Sequence, residues 1–177
     1  MTRRRALWLL AFAAIALFAV ELAYDNRMQD AGHHGIVAFE VAFTQGKAQS
    51  ILAAWGAKGH DAAVASLWFD YLFMTAYGLF LLLAVRALRD ALARRGRAGL
   101  ARPGGTIAVL ALVGAGCDAL ENLFLLLQLG GRAQSIGPTL AGTFASVKFA
   151  CLTVAIVYLL AGLATLAVGR LRSIPAR

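Results

Sequence analysis

Charge is scarce in this chain. Asp, Glu, Lys and Arg together make up 15% of its 177 residues, against 60% hydrophobic residues, and a soluble domain of this size would hold its apolar share, glycine included, near roughly 45–50%. A soluble globular protein is thereby excluded. Cysteine is almost absent: Cys117 and Cys151 lie inside apolar runs with no CxxC and no third thiol, which excludes a disulfide framework and leaves two small residues suited to helix contacts. Histidine is confined to His33, His34 and His60, outside the longest apolar runs and without HxxxH or ExxH spacing, so no metal site is expected. No GxSxG surrounds Ser66, Thr75, Ser135 or Ser146, which argues against a hydrolase nucleophile. No repeat, low-complexity tract or cofactor signature stands out.

What is present in abundance is helix-length apolar sequence. Residues 6–24, 62–88, 106–129 and 138–168 each suffice to cross a hydrocarbon core, which takes about 20 helical residues, and helices satisfy their own backbone groups in lipid. The expected fold is all-α: one domain, residues 1–177, forming a four-transmembrane-helix bundle with a helical segment between the first two spans. The first span follows Arg3, Arg4 and Arg5 as a signal peptide would, but the apolar run continues to Ala23 and Glu21 and Leu22 interrupt any small-x-small cleavage site, so an uncleaved helix is expected.

The net charge of +8 is distributed rather than patched. Twelve of the seventeen basic residues precede the first span, lie between the second and third, or follow the fourth, whereas Arg27, Lys47, Lys58 and Arg132 occupy the other side. The positive-inside rule then places both termini in the cytoplasm of a bacterial inner membrane, with residues 25–61 outside. The charge reads as topology and not as a nucleic-acid interface. The Arg-rich loop 89–105 reads as a flexible connector. In the outer segment, Ile36 to Phe43 is apolar except for Glu40, and Thr44 can cap a short helix whose Ala48, Ile51, Leu52 and Trp55 share one face. Gly56 is expected to end that helix, Gly59 to permit a turn, and Asp61 to cap the second span; the helix from Thr44 to Trp55 is positioned to act as a lid.

The informative residues are those that violate the apolar pattern: Asp70, then Asp118, Glu121 and Asn122, then Lys148. A charged residue in mid-membrane costs at least about 2.5–3.5 kcal/mol on insertion scales and so faces a partner or a wet cavity. Counted at 1.5 Å per residue, Asp70 lies about 22 Å above Val85 and Glu121 about 21 Å above Ile107, at one level in the outer half; counted from Val168, Lys148 falls near the outer boundary. Asp118, Glu121, Asn122 and Leu125 form one stripe, extended downward by Gly114, which invites close approach of another helix. Tyr77 lies one or two turns below Asp70 on a similar stripe. Asp70, Asp118, Glu121 and Glu21 outnumber the one lysine, so not all can be ionised unless a cation binds.

The residues Phe43-Thr44, Ile51 to Gly56, Asp70-Tyr71-Leu72-Phe73, Tyr77-Gly78, Asp118 to Asn122 and Phe144 to Phe149 resemble those of an uncharacterised group of small bacterial four-helix membrane proteins. The resemblance implies the architecture and a shared polar site, and no activity. Three uses of that site are open on the sequence. One is binding of a small polar or cationic ligand, or of a membrane lipid headgroup, through Asp70, Tyr77, Asp118, Glu121, Asn122 and Lys148. In the second, an intramembrane enzyme uses Glu121 with Asp70 or Lys148 as acid and base on a lipid or isoprenoid. In the third, an assembly protein uses the cluster only to fix helix packing.

Overall fold

In the computed structural model, which describes residues 2–171, the chain is helical from α1 (Arg3–Gly32) through α2 (Ile36–Glu40), α3 (Gln45–Arg94), α4 (Ala98–Ala101), α5 (Gly104–Leu129) and α6 (Gly137–Leu171). Arg172 and Arg177, part of the charge argument above, lie outside the described residues. Four helices are long and apolar enough to cross a membrane. α1 and α3 overrun the expected spans at the end where residues 25–61 lie, so much of that segment is helix continued from the bundle.

The Thr44 cap forms as expected, its hydroxyl accepting from Lys47 N at 3.4 Å. Gly56 breaks the 50-residue α3 with φ 56° and ψ −160°, a conformation open to glycine alone at little cost. Below it the helix runs on unbroken, and two expectations fail there. Gly59 is helical, and a Cβ on it would meet Trp55 Cβ at 2.5 Å, so its role is to make room for the indole. Asp61 is an exposed mid-helix residue 3.7 Å from His60 and caps nothing. The arginine-rich connector also differs from a featureless loop, since it forms the single turn α4 and buries Ala101.

α3 is the central element, packing against α1 on one side and against α5 and α6 on the other, while α5 and α6 pack together. Small residues set the spacing at mid-bundle: a Cβ on Gly78 would meet Ala115 Cβ at 2.9 Å, and one on Gly114 would meet Cys151 Cβ at 3.1 Å. The close approach expected at Gly114 is thus made by α6. α1 is peripheral, burying only Met28 and Gly32. Its polar ties to α3 include Glu21 to Ser66 toward one end and Arg3 to Asp90, at 2.8 Å, at the other. Hydrogen bonds from Arg3 and Arg89 hold the Asp90 carboxyl below the usual carboxylate range. The interior is layered. One apolar cluster, with Met28, Phe39, Ile51, Trp55, Leu67 and Leu125, fills the end beside α2; a second, with Met74, Leu81, Val85, Leu88 and Leu92, fills the arginine-rich half. The polar residues of the long helices lie between the two.

Candidate functional site

Each long helix delivers its polar side chain to this intermediate layer by the helical repeat. On α5, Asp118, Glu121 and Asn122 all point inward and are buried, because positions three and four apart share a face. On α6, Lys148 is buried and its ammonium gathers three acids: Nζ lies 2.8 Å from Glu121 Oε2, 3.0 Å from Asp118 Oδ1 and 3.5 Å from Glu40 Oε2. The lysine therefore stands level with the acids. The depth counted from Val168 separated it from the acids because α6 runs for 35 residues, longer than a bilayer requires, so its end is a poor origin for the count.

Asp118 also accepts a hydrogen bond from the Tyr77 hydroxyl at 2.5 Å. Tyr77, placed in the sequence below Asp70, is thus bonded to an acid on another helix. Asp70 Oδ2 accepts from Asn122 Nδ2 at 2.7 Å, and the same amide approaches Leu67 O at 3.5 Å. Two members were not among the residues singled out for the site. Glu40, the last residue of α2, is 7% exposed and reaches Lys148 from above. Burial pushes its carboxyl above the ordinary range, with Lys148 opposing and Asp118 adding to the push. Ser66, one turn before Asp70, donates to Glu21 Oε2. The signal for Glu40 was available, a lone acid in the apolar run from Ile36 to Phe43.

The chain contains nine Asp and Glu residues, and Glu21, Glu40, Asp70, Asp118 and Glu121 converge here. More than half of all the acids in a cation-rich protein thus gather at one layer, where Lys148 pairs with three of them, Glu40, Asp118 and Glu121.

Between these groups lies a cavity of about 210 Å³. Its walls carry Glu21, Glu40, Asp70, Asp118, Tyr77, Asn122 and Lys148 together with the rings of Phe18, Phe73 and Phe149. Glu121 is not on the wall. It is fully buried, stands behind in contact with Lys148, and neither of its carboxyl oxygens is aligned with a hydrogen-bond donor among the described residues. The covering element also differs from expectation. Ile36, Val37 and Glu40 of α2 line the cavity, whereas the Thr44 to Trp55 helix packs Ile51 and Trp55 into the apolar cluster above, with the Trp55 indole donating to His34 O at 2.6 Å.

The charges on the wall are unevenly matched. Lys148 serves Glu40 and Asp118. On the opposite side, Glu21 Oε1 is buried with no hydrogen-bond partner among the described residues, and the only hydrogen bond to Asp70 there comes from a neutral amide. A buried acceptor without a donor costs about 1–3 kcal/mol, more when charged, so Glu21 and Asp70 are the least compensated acids on the wall among the described residues. No group of three His, Cys, Asp or Glu among the described residues is disposed to hold a metal ion. No protein-family model, no curated protein and no solved structure matches the chain.

Proposed function

We propose that the protein spans the bacterial inner membrane four times, with its arginine-rich end in the cytoplasm, and binds a small organic cation of the alkylammonium class in the acidic cavity of the outer half. The observation that carries this reading is the pair of acids on the cavity wall, Glu21 and Asp70, neither of which has an ion-pair partner among the described residues. The rings of Phe18, Phe73 and Tyr77 on the same wall favour an alkylated ammonium over a hydrated metal ion, because an aromatic face attracts an ammonium by about 0.5–2 kcal/mol. Helix-packing glue alone would leave the carboxyls bonded to each other with no space between them. Acid/base catalysis through Glu121 is disfavoured by its place behind the wall.

Titration calorimetry on the protein in lipid nanodiscs tests the function. Butylammonium is expected to bind saturably and acetate not to bind; equal weak heats from both would remove the cation reading. Orientation is tested separately with reporter fusions after Gly131 and after Gly96, expected on the periplasmic and cytoplasmic sides respectively. The same location for both would overturn the topology, which rests on the distribution of arginine.

A further inference from the structure

We propose that the natural occupant is an amphiphile, a single long-chain amine or aminolipid whose ammonium sits between Glu21 and Asp70 and whose chain lies in the cleft between α1 and α6. This deepens the cation reading and rests on it. A second cavity, about 540 Å³, lies along the arginine-rich half of the bundle. It is lined on α1 by Leu7, Trp8 and Ala11, on α3 by Ala84, Ala87 and Ala91 together with the larger Phe80 and Leu88, and on α6 by Leu159 and Leu163, with Arg4 at its far end. Those positions continue the faces that build the acidic cavity. On α1 the stripe runs from Glu21 and Phe18 to Ala11 and Leu7, on α3 from Asp70 and Tyr77 to Ala84 and Ala91, and on α6 from Lys148 and Leu152 to Leu159 and Leu163. Steps of three, four and seven keep each stripe on one side of its helix.

The cleft exists because of two features of the packing. α1 packs on α3 and α6 packs on α5 and α3, so α1 and α6 flank a trough whose base is α3. Beside Phe80 and Leu88 on that base, Ala84, Ala87 and Ala91 project only a methyl group, and the depth of the trough lies over these three. From Asp70, beside the head, to Ala84 in the trough is about 21 Å at 1.5 Å per residue, comparable to an extended long acyl chain. The trough's apolar walls offer dispersion contacts along the length of a hydrocarbon chain. Charge complementarity sets the polarity of the occupant: the head end carries four wall carboxyls to one ammonium, so the group joined to the chain is cationic. In the proposed orientation the head faces outward and the chain runs from the acidic layer into the arginine-rich half of the bundle.

The probes are hexadecylammonium, butylammonium and hexadecanoate, titrated into the protein in nanodiscs with empty nanodiscs as the blank. The variants are Ala84→Leu and Ala87→Leu, each filling the base of the trough at a different turn, with thermal midpoints recorded to confirm folding. Hexadecylammonium is expected to bind at least tenfold more tightly than butylammonium, and each folded leucine variant to remove most of that advantage while leaving butylammonium unchanged. Unchanged hexadecylammonium affinity in both variants, with butylammonium still bound, overturns the amphiphile and leaves the cation site standing. Failure of both amines to bind overturns both readings. Hexadecanoate binding as tightly as hexadecylammonium also overturns the amphiphile proposed here, because it would assign the trough to an anionic lipid held at Arg4.

Discussion

Lys148→Met is expected to destabilise the folded protein by about 3–5 kcal/mol, the usual consequence of removing one partner of a buried ion pair. The chain length of methionine preserves packing, so the effect isolates the ammonium. In the wild-type layer that single group lies within 3.5 Å of carboxyls from α2, α5 and the next turn of α5. Without it Glu40, Asp118 and Glu121 are left buried together at less than a tenth exposed each, and like charges in low dielectric repel. The measurement is the thermal midpoint in mild detergent. Adding Glu121→Gln to the Lys148→Met background should recover part of the loss, because one of the three stranded acids becomes neutral. A midpoint equal to wild type would mean the acids carry their own compensation and the lysine is dispensable to the fold.

The second large effect concerns binding. Asp70→Asn keeps the shape of the wall and the contact with Asn122, and removes only the charge that faces the cavity. Since hydrogen bonds to charged groups contribute about 1.5–3 kcal/mol, butylammonium affinity should fall roughly 10- to 100-fold at 1.4 kcal/mol per decade. Thermal stability should hold or rise, because a poorly compensated buried carboxylate is gone. Glu121→Gln is the matched control: it neutralises a deeper acid that is off the wall, and affinity should change little. Equal losses in the two variants would show that the ligand senses the total charge of the layer and makes no contact with Asp70. No loss in Asp70→Asn would remove that residue from the site.

Much of this arrangement was legible in the sequence because it follows from one-dimensional periodicity. The four apolar runs announce the long helices, the helical rise brings Asp70 and Glu121 to one depth, and spacings of three and four put Asp118, Glu121 and Asn122 on one face. What periodicity cannot express is how a short segment folds back over a bundle. α2 is five residues long, too short for a face to repeat, so Glu40 could not be aimed at Lys148. The amphipathic helix from Thr44 to Trp55 drew the lid assignment because its apolar face is easy to read, yet that face is satisfied by its own cluster around Phe39 and Met28. Likewise nothing in the spacing of α5 distinguishes Asp118, on the cavity wall, from Glu121 behind it; a rotation of one helix by a few tens of degrees would exchange them.

The position of the lysine on the last helix has a consequence for how the chain is made. Synthesis proceeds from α5 to α6, so in a membrane Asp118, Glu121 and Asn122 reach hydrocarbon before the ammonium that matches them has been translated. Each acid left alone there costs at least about 2.5–3.5 kcal/mol on insertion scales. The seven residues between Leu129 and Gly137, turning at Gly131 with φ 73°, are short enough for α5 and α6 to partition as a hairpin. For a chain entering a membrane, the ion pairs of the layer would therefore favour insertion of the last two helices as one unit, complete only once residue 148 has been made.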